Sequence, residues 1–332
     1  MKKVAILGST GVIGSKALEV VRDYPEEFKV VSLAAGHDSK ELQEQIREFK
    51  PKMIGIGSQG LMKAITQEID LAIVAVVGKA GIAPTLKAIA LKKDIGLATK
   101  EVLVLEGEKV MTAVKKSGIN LLPIDSEHSA IFQSLKSGQN KEIKNIYLTM
   151  GQGRISAMSE AQKVRLTPKQ VLQRKTWVMG PKIGIDSATC INKAFEIIEA
   201  RWLFNLRPEQ IKVVVHPEYC CHSLVEFTDG STINELGVAE MKRYVQYAMF
   251  YPERRVVKNI PAINLSNTSL SFQAADLDKF PGLRLGHEAL KKGSRGAKVL
   301  YTADEKAVEK FLTGKIKFTE IVPLIAKEMA KI

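Results

Sequence analysis

A short apolar run, Lys3 to Leu7, breaks into Gly8-Ser9-Thr10-Gly11-Val12-Ile13-Gly14, and a helical stretch from about Ser15 to Asp23 opens behind the last glycine. Glycines also mark ordinary tight turns, but a buried strand before them and a helix start behind them make this a dinucleotide fingerprint. Gly8 permits the tight turn, Gly11 lets the backbone approach a pyrophosphate, and Gly14 allows the helix to pack closely on the strand. The unpaired N–H groups of the helix N-terminus then face the phosphates. A second apolar run, Phe28 to Ala35, closes a β-α-β unit. Met53 to Ile56, Leu71 to Val77, Ile95 to Ala98 and Ile119 to Leu122 read as further strands, with helical segments at Leu86 to Leu91 and Lys109 to Lys116. This alternation predicts a Rossmann-like, doubly wound parallel sheet with helices on both faces.

Near residue 145 the pattern changes. Asn145 to Met150 reads as a strand that runs into Gly151-Gln152-Gly153 and a segment rich in Lys and Arg. Lys182 to Ile185, Lys212 to Val215 and Ser223 to Phe227 read as strands around a long helix from Ser187 to about Phe204, which predicts an α+β domain. After Phe280 the chain reads helical, and the polar, weakly periodic stretch Pro261 to Asp278 reads as a linker. The expected division is an α/β domain over 1–145, an α+β domain over 146–260, a linker over 261–279 and a C-terminal helical domain over 280–332.

Lys and Arg number 49 against 36 Asp and Glu, a formal charge of +13. The basic residues are scattered, part of them a solubilising surface, and no aromatic-basic alternation accompanies them, so anionic small molecules are favoured over nucleic acid. Cys190, Cys220 and Cys221 offer neither an even disulfide framework nor zinc-type spacing, and a reducing cytosol suits them. No stretch reaches the roughly 18 to 20 apolar residues of a membrane span, and the first apolar run is too short for a signal peptide. A soluble, cytoplasmic protein without membrane partners is the expectation.

Cofactor choice is read at the end of the second strand, where Ala34-Ala35-Gly36 carries no carboxylate for an NAD ribose. This leaves room for the 2′-phosphate of NADPH, with His37 or Lys40 to offset its charge and Asp38 to oppose it. Asp125-Ser126-Glu127 sits where a strand of the first domain should end, and in an extended segment both carboxylates point to one side. Their oxygens suit Mg²⁺ or Mn²⁺, although such a triplet also serves as a solvated loop or helix cap. A second cluster runs from Asp186 through Ser187, Asn192 and Lys193 to Glu196. Asn192 and Glu196 share a helical face, so a hydroxyl, an amide and an ammonium can hold a phosphate while Glu196 completes a three-carboxylate metal site. An N-capped amphipathic helix with solvated polar residues accounts for the same pattern, and capping by Ser187 fits both.

At this point the chain resembles the 1-deoxy-D-xylulose 5-phosphate reductoisomerase family. The resemblance runs through Gly8 to Gly14, Ala98-Thr99-Lys100-Glu101, Pro123 to Gln133, Trp177 to Gly180, Ile185 to Ala200, His216-Pro217, His222 to Phe227, Gln246-Tyr247-Ala248, Tyr251-Pro252-Glu253-Arg254 and Phe280 to Leu290. It implies an NADPH-binding first domain, a middle domain with metal and substrate, a C-terminal helical domain and a homodimer. Carried over by position, it makes Asp125, Glu127 and Glu196 the metal ligands, and Ser126, Ser187, Asn192 and Lys193 substrate contacts, with Lys100 joining the catalytic group. Gly8, Thr10, Gly11, Val12 and Ile13 would lie along the cofactor with Gly36, His37, Asp38, Thr99, Glu101 and Gly180. Trp177 and Met179 would belong to a lid over a phosphorylated sugar.

The chain also departs from the family. Where members carry a phosphate-binding serine after the middle-domain strand, it reads Gly151-Gln152-Gly153-Arg154, and the His-Pro pair of the lid is replaced by Arg174-Lys175. Arg174 retains a fork suited to phosphate but cannot titrate as an imidazole does. Thr99 stands for an asparagine, Glu218-Tyr219-Cys220-Cys221 follows His216-Pro217, and Tyr301 to Glu305 replaces an asparagine-rich helix start. The resemblance therefore implies conversion of 1-deoxy-D-xylulose 5-phosphate to 2-C-methyl-D-erythritol 4-phosphate, a step of isoprenoid precursor synthesis. The altered residues leave open a related oxidoreductase acting on another phosphorylated ketose or polyol, or a cofactor-binding protein without turnover. The missing acidic residue after the second strand predicts faster reduction with NADPH than with NADH in side-by-side initial rates; equal use of the two would defeat the 2′-phosphate reading.

Overall fold

The computed structural model describes residues 1–173 and 180–332, so the expected sites at Arg174, Trp177 and Met179 lie outside the described residues. The chain forms two compact units, the first made of residues 1–102, 106–132 and 240–262 and the second of 103–105, 133–239 and 263–332.

In the first unit, β1 (Lys2–Leu7), β2 (Phe28–Ala35), β3 (Met53–Ile56), β4 (Leu71–Val74), β5 (Asp94–Leu97) and β6 (Leu121–Pro123) form a sheet in the order β3-β2-β1-β4-β5-β6. Every pair is parallel. The central strands read as near-continuous apolar runs because both of their faces are covered: all four residues of β4 and the last four of β1 are buried. The strand order reverses between β1 and β4, the point in such sheets where a crevice opens beyond the strand ends.

The core of this unit takes Val245, Ala248, Met249 and Phe250 from a helix, Met241–Phe250, that the expected boundary assigned to the second domain. That helix packs against Val12–Asp23. Lys242 makes an ion pair with Asp23 at 2.7 Å, and Lys2 donates to the Met249 carbonyl at 2.7 Å. The chain thus leaves the first unit near residue 132 and returns to it at 240, which no local pattern announces.

In the second unit, β7 (Ile143–Met150), β8 (Ile211–Val215), β9 (Cys221–Phe227), β10 (Thr232–Leu236) and β11 (Gln273–Ala274) form a mixed sheet in the order β10-β9-β7-β8-β11. Only β7 and β8 are parallel there; the other pairs are antiparallel. The stretch expected as a linker therefore supplies an edge strand. Ile191, Phe195 and Ile198 share one core with Leu285, Leu300, Tyr301, Phe311 and Ile325, so the C-terminal helices form one body with the middle of the chain.

Two local expectations change. Lys182 to Ile185 is not a strand but part of a helix, Pro181–Ala188, opened by proline at its first position. Its helical spacing lets Lys182 reach Asp186 at 2.6 Å, and the same ammonium bonds to Asp304. The long helix is also not continuous: Cys190, at φ 63°, separates Pro181–Ala188 from Ile191–Leu203. Ser187 donates to the Ile183 carbonyl at 2.7 Å inside the first of these helices, and so does not cap the second.

Burial lowers the Lys182 pKa, but Asp186 and Asp304 outweigh it and hold the ammonium above its ordinary value. Burial raises the Asp304 carboxyl, since its side chain is fully enclosed. Lys182→Met removes the charge shared by two buried carboxylates. We expect a loss of about 3 kcal/mol of unfolding free energy in urea titration, at the low end for breaking a buried ion pair because Lys182 keeps some solvent contact; an unchanged midpoint would show that the acids are neutral without it.

Candidate functional site

In the first unit the glycine turn is a set of backbone contacts that side chains would prevent. Gly8 stands at φ +83°, its N–H donating to Ala34 O at 2.7 Å, and a Cβ there would lie 2.3 Å from Ala75 O. A Cβ on Gly14 would lie 2.1 Å from Gly8 O, which confirms the close helix-on-strand packing read from the sequence. Gly11 precedes the helix Val12–Asp23, so Val12 and Ile13 form its first turn, and Thr10 lies in the bend before it. This end of the helix has no side-chain cap, which leaves its N–H groups available to an anion. Gly36, His37 and Asp38 follow the end of β2, and Asp38 accepts from Gln43 Nε2 at 2.8 Å. Thr99 is buried and donates to Val76 O at 2.7 Å, while Glu101 opens the helix Glu101–Ser117.

Asp125 lies just beyond β6, immediately before the helix Ser126–Ser134. Its Oδ2 meets Lys100 Nζ at 3.0 Å, and its Oδ1 accepts the Glu127 N–H at 3.2 Å and lies 3.1 Å from His128 Nδ1. The segment is therefore not extended: Glu127 sits in the first helical turn, with the Ser126 hydroxyl donating to its carboxylate. His128, wholly buried, is a residue that sequence reasoning missed; its signal was the three-residue spacing from Asp125 at a helix start.

In the second unit, Cys190 in its left-handed conformation directs the helix Ile191–Leu203 so that Asn192 and Lys193 fall in the first turn. Asn192 Nδ2 donates to Glu196 Oε1 at 2.5 Å, and Lys193 pairs with Oε2 of the same carboxylate. Glu196 is only 2% exposed, so its charge is held in the interior by that ammonium and amide. Glu199, one turn on and also buried, is a further carboxylate that the sequence reading passed over. Gly180 precedes the helix Pro181–Ala188, which carries Ser187 near its end. Gly151 follows β7 directly, and a Cβ there would lie 1.9 Å from Tyr219 Cζ. Tyr219 was noted in the sequence only as a departure.

These donors fit their expected guests by chemistry: carboxylate oxygens suit a hard cation such as Mg²⁺, and the glycine turn is a cradle that any Cβ would fill. Among the described residues no helix is long and apolar enough to cross a membrane. The sheet order, the uncapped helix behind Gly8 and the buried carboxylates define the class of the protein, a dinucleotide-binding α/β enzyme with groups suited to a divalent cation.

The comparisons narrow this class. The family model described as 1-deoxy-D-xylulose 5-phosphate reductoisomerase matches residues 4–66 and 54–107, its C-terminal domain matches 121–204, and the DXP reductoisomerase C-terminal domain matches 236–332. The 1-deoxy-D-xylulose 5-phosphate reductoisomerase of Thermoanaerobacter pseudethanolicus is 43% identical, over 99% of this chain and 92% of its own. That of Chlorobaculum tepidum is 42% identical over the same shares. The Zymomonas mobilis enzyme, solved in complex with NADPH, superposes with a TM-score of 0.92 at 30% identity, covering 100% of this chain and 92% of that one. A DOX-P reductoisomerase solved with NADPH, fosmidomycin and magnesium gives 0.93 at 36%, covering 99% and 89%. The chain belongs to the 1-deoxy-D-xylulose 5-phosphate reductoisomerase family.

Because Gly8 combines a left-handed φ with backbone on its Cβ side, Gly8→Ala should lower the thermal midpoint through a loss of at least about 1–2 kcal/mol. A midpoint equal to wild type would mean that the turn relaxes without strain.

Proposed function

We propose that the protein converts 1-deoxy-D-xylulose 5-phosphate and NADPH to 2-C-methyl-D-erythritol 4-phosphate and NADP⁺, with a divalent cation bound. The observation that carries this reading is family membership over 99% of the chain, which takes in both the glycine turn and the carboxylates. When bound, the cation supplies Lewis acidity toward the oxygens of the sugar and the nicotinamide supplies hydride.

The chain's own residues bind, orient and balance charge. Asp125, Glu127 and Glu196 hold the cation, magnesium or manganese, and Lys100 and Lys193 offset their charge until it arrives. Ser187, Asn192 and Lys193 take the phosphate, the ammonium and helix N-terminus meeting its charge, and Ser126 contacts the sugar. Fixing the phosphate end orients the reacting carbons. The turn from Gly8 to Ile13 cradles the pyrophosphate of NADPH; Gly36, His37 and Asp38 face its 2′-phosphate, and Thr99, Glu101 and Gly180 complete its surroundings. Arg174, Trp177 and Met179, which the family resemblance counts among the substrate contacts, lie outside the described residues. The working protein is a cytoplasmic homodimer.

A second reading, reduction of another phosphorylated ketose or polyol, is favoured by Gly151, which brings no hydroxyl to the phosphate pocket. Turnover of 1-deoxy-D-xylulose 5-phosphate to the methylerythritol phosphate, identified as product, separates the two. Glu196→Gln should reduce metal-dependent turnover by at least about a hundredfold, the upper range for loss of even an outer partner of a bound metal, with NADPH affinity by fluorescence unchanged. Wild-type activity in that variant would remove Glu196 from the metal site.

A further inference from the structure

The loops that follow β7 and β8 leave the sheet side by side. Met150 pairs with Val215 at the strand ends, and the His216 N–H donates to Met150 O at 2.7 Å. The loop after β8 is clamped by one imidazole. His216 Nε2 accepts the N–H groups of Cys220 at 3.2 Å and Cys221 at 3.1 Å, so Nδ1 carries the proton and donates to Ser271 O at 3.0 Å, with the Glu218 carboxylate also at 3.0 Å. Between these anchors Tyr219 is held at φ 55°, a left-handed conformation that costs a non-glycine residue about 1–2 kcal/mol.

The strain places a phenol where the neighbouring loop has no side chain. A Cβ on Gly151 would lie 1.9 Å from Tyr219 Cζ and 2.0 Å from its hydroxyl oxygen, so the polar end of the tyrosine fills the space of a side chain at 151. Tyr219 in this position therefore requires a glycine at 151. Among the described residues the Tyr219 hydroxyl has no hydrogen-bond partner, although the residue is partly buried. Cys190, which lies between Ser187 and the Asn192-Lys193 turn, packs in one cluster with Val215 and Met150. The tyrosine loop and the start of the helix Ile191–Leu203 thus meet at the same strand ends.

We propose that the Tyr219 hydroxyl is a phosphate donor, supplying to the substrate's phosphate the hydrogen bond that a serine at position 151 would otherwise give. The inference rests on the reading of Ser187, Asn192 and Lys193 as the phosphate pocket. It makes the Gly151–Tyr219 pair an exchange of one hydroxyl for another on the adjacent loop and not a loss of binding capacity. The longer side chain brings its hydroxyl from β8 instead of β7, and the glycine is the space it needs.

Tyr219→Phe deletes the hydroxyl and keeps the ring. With inorganic phosphate as probe and calorimetry as readout, the variant should bind about tenfold more weakly or worse, as for a lost hydrogen bond to a charged group. KM for the sugar phosphate should rise in step, with kcat and NADPH affinity near wild type. The double variant Gly151→Ser, Tyr219→Ala should recover most of the affinity that Tyr219→Ala alone loses. Phosphate affinity and KM unchanged in Tyr219→Phe would overturn the proposal, as would a folded double variant no tighter than Tyr219→Ala. Phosphate binding that depends on Tyr219 in a protein unable to turn over 1-deoxy-D-xylulose 5-phosphate would sustain this inference and reject the proposed substrate. Normal turnover with an indifferent Tyr219→Phe would do the reverse.

Discussion

The first unit depends on β1 being paired on both sides, to β2 and to β4, in parallel. A strand so placed has no solvent face, so it must be apolar throughout, and its chain must leave the sheet by a tight turn past the end of its neighbour. That turn brings Gly8 against Ala75 and Gly14 against Gly8, where only hydrogen fits on the α-carbon. The glycine spacing, the uncapped helix N-terminus and the reversal of strand order are consequences of one packing constraint, and together they make the cradle for a pyrophosphate.

The second unit is organised by enclosed charge. Glu196 with Lys193 and Asn192, and Lys182 with Asp186 and Asp304, put ionisable groups into the interior around the helix break at Cys190. Such groups are costly to enclose unless each has a partner, and here Glu196 lies beside both an ammonium and an amide. Near Asp125 the same logic recurs through Lys100 and His128. A carboxylate held by a lysine within its own unit keeps its shape before a cation binds, which is how preorganised sites limit the cost of binding.

Much of this was legible beforehand. Periodicity placed most of the parallel strands, because buried strands leave short apolar runs, and the residue types at 125, 127, 192, 193 and 196 marked the candidate site. The misreadings have physical causes. Lys182 to Ile185 is short enough for strand and helix to look alike, and the Lys182–Asp186 spacing only gains meaning once Asp304 arrives from far along the chain. Spacing alone makes Asp125 and Glu127 an extended pair, but Asp125 bonds to the Glu127 N–H at the helix start, a local competition of side chain with strand.

The sequence by itself determined the class of fold, the glycine turn and the family, since each rests on residue types at fixed local spacing. The tertiary structure decided which segments share a core: the return of Met241–Phe250 to the first unit, the merging of the C-terminal helices with the middle of the chain, and β11 on the edge of the second sheet. It also decided that the space beside Gly151 belongs to Tyr219. These outcomes are set by contacts between residues tens to hundreds of positions apart, where burial and close packing act and where a pattern read along a short window has no purchase.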